Sequence, residues 1–221
     1  MSADVSVDRR RLRHQQTVDE VVATALEVMT ESGAGAMTLG EVARRMGIRP
    51  PSLYVYFRSK DALHDEIFAR GWIEAAEAMH TYEDDLVRTT DAGAFLVEAA
   101  TGFVRWALEH PAYAQLMFWR PIPGWEPSTS AYEPAVRLLD WLGASFTTLQ
   151  QRGYLDRKVE LDELVDVWNV LITGLISQQL ANEPKAKITS SRYFALIGPV
   201  VQTYLARYGT APTPVSRGKK R

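Results

Sequence analysis

Residues 38–57 constrain the fold of this chain more than any other stretch, because they carry the local signals of a short helix followed by a tight turn. Thr38 and Glu41 have the spacing of a capping box, in which the threonine hydroxyl caps the helix and the glutamate reaches back to the cap. Gly47 suits the left-handed backbone at which many helices end. A helix is therefore predicted to begin at Thr38 and to end within about three turns.

Two prolines open the next helix. Pro50 and Pro51 lack the backbone N–H that an internal helix position donates, so they fit only a first turn. This helix is predicted over residues 52–57, with Leu53 and Phe57 facing inward because they lie four residues apart. Two short helices joined by such a turn form a helix-turn-helix, whose second helix reads the major groove of DNA.

The outward face of the second helix carries donors for phosphates and base edges. The outer positions are Arg49, Ser52, Tyr54, Val55 and Tyr56, and Arg44, Arg45, Arg58 and Lys60 surround them. These side chains favour a DNA-binding helix. The alternative is a short surface hairpin of helices whose tyrosines cover an apolar cluster.

Residues 17–63 resemble the TetR family of ligand-responsive transcriptional regulators. TVDEVVATALEVMTESG is similar to the first helix of that family, MTLGEVARRMGI to its second, and PPSLYVYFRSKDAL to its recognition helix and the start of its fourth helix. The resemblance implies DNA contacts from Thr38, Arg49, Pro50, Pro51, Ser52, Tyr54, Tyr56 and Lys60, to which we add the neighbouring Arg45. Tyr56 stands where the family usually has histidine, and Arg49 where a small capping residue is common, so no base preference transfers.

The composition indicates a globular, cytoplasmic protein. With 221 residues, 46% of them hydrophobic and 10% aromatic, the chain can bury a substantial core. The N-terminus is charged where a signal peptide is apolar, and no run of eighteen apolar residues occurs, so we expect no membrane contact. The absence of cysteine excludes disulfides, zinc ribbons and thiol redox sensing.

Basic charge is concentrated at the two ends of the chain. Residues 61–209 carry 12 basic against 20 acidic side chains, whereas Arg9, Arg10, Arg11 and Arg13 crowd the N-terminus. Residues 1–16 are predicted to form a flexible arm that lies along DNA or, alternatively, a solvated tail. Thr17 and Glu20 form a second capping box that predicts the start of the first helix. Residues 210–221 are predicted to be a disordered basic tail.

The remainder of the chain has the periodicity of successive helices, with apolar residues recurring at three and four. Helices are predicted over residues 60–82, 91–109, 111–119, 131–152, 160–181 and 188–208. The predicted fold is all-α, with about nine helices. An N-terminal three-helix DNA-binding domain (residues 17–60) precedes a helical effector-binding and dimerisation domain (residues 61–209).

The second domain is rich in large aromatic side chains. RWALEHPAYAQLMFWRPIPGWEP and VWNVLITGLISQQL resemble a TetR C-terminal domain, although Thr173 and Gly174 follow Trp168 without the histidine usual in that helix. The resemblance implies a small-molecule cavity lined by Trp106, Tyr113, Met117, Phe118, Trp125, Trp141, Trp168 and Thr173. The alternative is that these residues belong to the core.

The last two predicted helices carry broad apolar stripes. Such helices can bury one face internally and present another to a twofold partner, as in a four-helix dimer interface. The predicted interface residues are Leu171, Leu175, Tyr193, Ile197, Val200 and Tyr204.

Enzymatic function finds no support in the sequence. The four histidines are scattered, and no nucleophile, base and oxyanion site assemble, so no catalytic residue, metal or cofactor is expected. We predict a homodimeric repressor that a small apolar or aromatic effector releases from a palindromic operator in double-stranded DNA. The alternative is a small-molecule-binding protein of the same fold without specific operator binding.

Overall fold

The computed structural model describes residues 2–210, with side chains from residue 9 onward, and this part of the chain is helical. Its α-helices are α1 (Ser2–Ser32), α2 (Leu39–Arg45), α3 (Pro50–Leu53), α4 (Lys60–His80), α5 (Glu83–Arg88), α6 (Ala92–Glu109), α7 (Pro111–Trp119), α8 (Thr129–Gln151), α9 (Leu161–Asn182) and α10 (Ile197–Tyr208). One isolated bridge, Leu155 to Gly209, is the only β pairing over residues 2–210, which confirms the all-α prediction. The predicted disordered tail, from residue 211 onward, lies outside the described residues.

Backbone contacts divide the chain into two compact units. Unit 1 comprises Met1–His80 and Arg105–Leu138, and unit 2 comprises Thr81–Val104 and Leu139–Arg221. The whole helix-turn-helix segment, helix α4 and helix α7 lie in unit 1.

The helix-turn-helix in unit 1 follows its local signals. The Thr38 hydroxyl accepts a hydrogen bond from the backbone N–H of Glu41 at 3.1 Å, so Thr38 caps α2 as predicted. The reciprocal half of the capping box does not form, because the Glu41 carboxylate instead accepts hydrogen bonds from Arg44 and Arg45. Gly47 has a φ of 67°, as its place after α2 requires.

Helix α3 begins at Pro50, two residues before the predicted start at residue 52, and Tyr54 is already its C-cap. Leu53 is 0% exposed and Phe57 6%, which confirms that both face inward.

The first helix starts earlier than predicted. Thr17 is not an N-cap but an interior residue of α1, and its hydroxyl donates to the carbonyl of Arg13 at 3.0 Å. Arginine and glutamine are good helix formers, and neither proline nor glycine interrupts residues 2–32, so the helix continues through the basic segment. The described part of the predicted flexible arm is therefore helical.

Unit 1 is completed by α4 packed against α7. A Cβ at Gly71 of α4 would lie 2.6 Å from the Met117 Sδ, so glycine permits the close approach of the two helices. Helix α7 begins at Pro111, as predicted, and His110 is its N-cap. It ends at Trp119, and its C-cap Arg120, with a φ of 45°, is the one non-glycine residue with positive φ among those described.

Unit 2 contains α9 and α10, which contact each other. The Tyr204 hydroxyl donates to the carbonyl of Leu164 at 2.9 Å, and the Tyr204 ring packs edge-on against Trp168 and Phe146. These side chains form the centre of the unit 2 core.

The predicted helix over residues 188–208 is wrong in its first half. Two short 3-10 helices, Ile188–Ser190 and Phe194–Leu196, precede α10. The Ser191 hydroxyl bonds to the buried Gln179 and accepts from the Phe194 N–H, so the chain turns at this serine. The short helix α5 was not predicted at all.

Candidate functional site

Helix α3 presents a polar surface on a rigid base. Tyr54 is 53% exposed and Val55 75%, and Arg49, Pro50, Pro51 and Ser52 are also exposed. The Arg49 side chain forms no hydrogen bond or ion pair with any residue that the structure describes. Its guanidinium and the hydroxyls of Ser52 and Tyr54 are therefore available to a ligand outside the chain.

Three other predicted DNA-binding residues already have partners. Tyr56 is half-buried, and its ring lies 4.9 Å from that of His14, which joins the recognition segment to α1. The Lys60 Nζ donates to the carbonyl of Gly35 at 3.3 Å. Thr38 uses its hydroxyl as the cap of α2.

Arg45 lies in a carboxylate network, unlike the exposed Arg49. Its guanidinium contacts Glu31 at 2.5 Å and Glu41 at 2.9 Å. Hydrogen bonds from Arg44 and then Arg45 lower the pKa of Glu41 to about 2, so this carboxylate stays ionised and keeps its partners. A phosphate would have to displace a carboxylate to reach Arg45, whereas the Arg44 side chain is 70% exposed.

Ion pairs and hydrogen bonds also join α4 to its neighbours in unit 1, and sequence reasoning missed them. Arg70 contacts Asp19 of α1 and Glu66 of α4, each at 2.7 Å. The Tyr113 hydroxyl of α7 donates to Glu74 of α4 at 2.9 Å. The hydrogen bond from Arg70 lowers the pKa of Asp19. The pair of Glu66 and Arg70 has the local i,i+4 spacing of a helix, but no local signal could reveal the contacts of Arg70 with Asp19 and of Tyr113 with Glu74, because those partners are far apart along the chain.

Five of the predicted effector-binding residues lie in unit 1: Trp106, Tyr113, Met117, Phe118 and Trp125. Trp106 stacks on His110 and Tyr113, with ring centroids 5.3 and 6.4 Å away. The Trp125 indole N–H donates to Asp65 at 3.1 Å, and its ring packs edge-on against Phe68 of α4. Four of the five are buried, and Phe118 is partly exposed.

The other three, Trp141, Trp168 and Thr173, lie in unit 2. Trp168 is 7% exposed and packs between Phe146 and Tyr204, with ring centroids at 5.7 and 5.3 Å. The Thr173 hydroxyl donates to the carbonyl of Asn169 at 2.6 Å. Trp168 therefore has the surroundings of a core residue, and the Thr173 hydroxyl has a partner within its own helix.

The predicted dimer residues differ in exposure. Leu175, Ile197 and Tyr204 are buried within the protomer, whereas Leu171, Tyr193 and Val200 are half-buried. Val170, which sequence reasoning missed, is 70% exposed, and Leu196 is 44% exposed. Among the described helices, α9 alone is long and apolar enough by composition to cross a membrane, yet only 33% of its most apolar stretch is buried. Val170 is exposed and Leu171 half-buried, so part of the apolar surface of α9 is left uncovered by the protomer.

Family models match most of the chain. Residues 21–67 match the model of bacterial regulatory proteins of the tetR family, and residues 96–211 match the tetracyclin repressor-like C-terminal domain. The HTH-type transcriptional regulator Rv1816 of Mycobacterium tuberculosis is 28% identical over 120 residues, which cover 54% of this chain and 50% of that protein. YobS of Bacillus subtilis, an uncharacterized HTH-type transcriptional regulator, is 27% identical over 93 residues, 42% of this chain and 47% of YobS. The matched region thus spans about half the length of these curated relatives.

Solved structures share the fold over nearly their whole length. A protein of unknown function from Rhodococcus sp. RHA1 has a TM-score of 0.72 at 17% identity, covering 87% of this chain and 95% of that one. FadR from Bacillus subtilis, in complex with stearoyl-CoA, has a TM-score of 0.65 at 15% identity, with 85% and 97% covered. At such identities the likeness concerns the fold alone.

Proposed function

Because the chain belongs to the TetR family of bacterial regulatory proteins, we propose that it is a DNA-binding transcriptional regulator, and specifically a homodimeric repressor. In this proposal it binds a palindromic operator and leaves it when a small apolar or aromatic effector binds. The surface of α3 supports the proposal most directly. Leu53 and Phe57 are buried and hold the segment in the core. Arg49, Ser52 and Tyr54 are exposed, and their side-chain donors have no partner in the described part of the chain.

Release by an effector requires a connection between the ligand site and the reading head. Within unit 1, helix α4 begins beside the helix-turn-helix and continues to the aromatic residues around Phe68. Arg70 pairs with Asp19 of α1, so a shift of α4 changes the support of the first helix. The FadR structure holds stearoyl-CoA in a related fold, which is consistent with an effector site in such proteins. The coupling would be reciprocal, since the operator must weaken effector binding by the same factor.

Twofold association would use the apolar surface of α9 and its surroundings. Val170 and Leu196 are exposed on unit 2, and Leu171, Tyr193 and Val200 are partly exposed. Exposed apolar side chains on neighbouring helices favour an interface with a second copy of the same surface.

Selection of bound duplexes from a random pool tests the operator proposal. We expect a pseudo-palindrome with half-sites about one helical turn apart, or somewhat more in a wide dimer. Arg49→Ala should relax the preference at particular base pairs, where each bidentate contact contributes about 1 to 3 kcal/mol of discrimination. Tyr54→Ala should weaken binding to all sequences equally. Arg137→Ala is the matched control, since Arg137 is an exposed arginine of α8 paired with Glu133. Asymmetric selected duplexes with a base preference independent of Arg49 would show that α3 is not the recognition helix. Selection that enriches no sequence would favour the small-molecule-binding alternative.

Salt dependence tests the proposal that the basic segment of α1 contacts phosphates. Arg9 and Arg13 lie four residues apart on one face of α1, while Arg11 lies about 200° around the helix from Arg9. We therefore expect about two or three phosphate contacts per subunit, each contributing about −0.9 to the slope of log affinity against log salt concentration. Replacing Arg9, Arg10, Arg11 and Arg13 by Gln should reduce the slope accordingly and preserve the helix. An unchanged slope would show that these arginines do not contact DNA.

A further inference from the structure

One face of α4 carries three ring-bearing side chains, His64, Phe68 and Trp72, spaced four residues apart. His64 and Phe68 are both 0% exposed. Both ring nitrogens of His64 and the indole nitrogen of Trp72 are buried without a hydrogen-bond partner, and they are the only such side-chain atoms among the described residues. Buried polar groups almost always have partners, so two orphaned groups on one helix face call for an explanation.

Aromatic side chains around the α7–α8 connection cover this face. Trp125 packs edge-on against His64 and Phe68, with centroid distances of 5.4 and 5.8 Å. Tyr132 stacks on Phe68 at 6.0 Å with an interplanar angle of 15°. Phe118 packs edge-on against Trp72 at 5.9 Å. We call this group, His64, Phe68, Trp72, Phe118, Trp125 and Tyr132, the aromatic cluster.

Arg120 places a positive charge on the aromatic cluster. Its guanidinium carbon lies 5.4 Å from the centre of the Tyr132 ring and 5.9 Å from that of Phe68, within the range of cation–π attraction. The arginine is exposed and forms no ion pair among residues 9–210. Its left-handed backbone, φ 45° and ψ 58°, is the conformation in which a helix C-terminus usually has glycine. Arginine is strained in this backbone conformation, whereas glycine would not be. The presence of arginine here therefore suggests that the guanidinium has a role.

A groove adjoins the cluster at Tyr132. Its volume is about 430 Å³, and it is lined by Pro127, Thr129, Tyr132, Glu133, Val136 and Arg137. Arg137 has a carboxylate partner, Glu133, at 3.8 Å. Arg120 is not a lining residue of the groove, but its guanidinium lies over the ring of Tyr132, which is, and it has no carboxylate partner among residues 9–210.

We propose that the groove at Tyr132 binds an anionic small molecule with a flat apolar body, whose negative group pairs with Arg120. The body of the ligand lies against the ring of Tyr132, the residue that the groove shares with the aromatic cluster. This inference rests on the proposed function, because the ligand would be the effector of the regulator. It narrows the effector from any apolar or aromatic molecule to an acidic one.

Two fluorescent probes that differ in one charged group provide the test. 8-Anilinonaphthalene-1-sulfonate carries a sulfonate, and N-phenyl-1-naphthylamine has the same ring system without it. We expect the full chain to bind the sulfonate at least about 10-fold more tightly, since a charge-assisted hydrogen bond is worth about 1.5 to 3 kcal/mol. Arg120→Gly should remove this preference and leave binding of the neutral probe within about twofold. Glycine suits the backbone at this position, so the variant should fold.

Controls separate this site from general surface binding. Arg88→Gln removes an exposed arginine of α5, in unit 2, and should leave the preference for the sulfonate intact. In the wild-type chain, added salt should weaken binding of the sulfonate but not of the neutral probe. Equal affinities for the two probes, or a preference that survives Arg120→Gly, would overturn the inference.

Operator binding, measured in parallel on duplexes from the selection, distinguishes failure of this inference from failure of the proposed function. If the protein binds a palindromic duplex but shows no preference that depends on Arg120, the acidic-effector site is rejected and the repressor function stands. If the protein shows the preference but binds no specific duplex, the site stands and the repressor function is rejected. If both hold, the sulfonate probe should weaken duplex binding, and the duplex should weaken probe binding by the same factor.

Discussion

Replacing Trp168 by Ala should lower the free energy of unfolding by about 3 to 5 kcal/mol, the usual cost of deleting a buried tryptophan side chain. The indole is 7% exposed and packs edge-on against Phe146 and Tyr204 in the core of unit 2. Its removal would leave a cavity that the two neighbouring rings cannot fill without leaving their rotamers. Urea unfolding monitored by circular dichroism measures the effect.

A second tryptophan provides the control for this prediction. Trp119 is 40% exposed, so Trp119→Ala should cost less than about 1 kcal/mol. Trp168→Phe should cost less than Trp168→Ala, because a ring still fills part of the space. If Trp168→Ala unfolds at the same urea concentration as the wild type but no longer responds to effector, the tryptophan belongs to the ligand site and not to the core.

Acidification should destabilise the protein through His64 before it affects the carboxylates. Burial, and then the positive charge of Lys60, lower the pKa of the His64 imidazole from 6.5 to about 4. Between pH 6.5 and pH 4, His64 binds a proton in the unfolded chain but stays neutral in the folded protein. The free energy of unfolding therefore falls as the pH falls toward 4. The loss should reach about 2.5 kcal/mol by pH 4.5, at 1.36 kcal/mol for each pKa unit. Urea unfolding at pH 7.5, 5.5 and 4.5 measures it.

His64→Leu isolates this contribution, because leucine cannot bind a proton. The variant should have nearly the same stability at pH 5.5 and pH 7.5, whereas the exposed His80 provides a histidine control, His80→Leu, that should keep the wild-type pH dependence. The pKa of Glu41 is already lowered to about 2, so its contribution is lost only below pH 4.5. An unaltered pH dependence in His64→Leu would show that folding does not lower the pKa of this imidazole.

The helix-turn-helix could be predicted in detail because its signals are local. Thr38 caps its helix with a hydroxyl three residues from the N–H that it accepts, and Gly47 needs only its own backbone to adopt a positive φ. Leu53 and Phe57 lie one helical turn apart, so their burial follows from periodicity. The exception is the carboxylate of Glu41, which could accept from the backbone N–H of the cap or from Arg44 and Arg45. It accepts from the arginines, because hydrogen bonds between charged groups are stronger than those to a neutral N–H.

The ligand and dimer surfaces could not be predicted residue by residue, since tertiary packing determines which side chains are covered. Tyr204 belongs to an apolar stripe by spacing, but its burial depends on Leu164, forty residues earlier. The aromatic cluster joins Phe68 to Tyr132 by a stacking contact that no sequence window contains. His64 and Trp72 share a helical face with Phe68, but only the fold shows that their nitrogens have no partner.

The continuous helix α1 changes the energetics that its arginines would bring to DNA. A flexible arm gives up conformational entropy of about 1 to 2 kcal/mol for each backbone residue that becomes fixed on the duplex. In this protein residues 9–16 are already ordered as helix, and the contact between His14 and Tyr56 fixes them to the recognition segment. The arginines would therefore arrive at the phosphates in the same rigid body as Tyr54 and Arg49. A duplex bent or twisted away from the spacing of α1 and α3 would lose its contacts with both helices together. The protein would therefore discriminate among DNA sequences partly by the free energy that each needs to adopt the shape that fits α1 and α3.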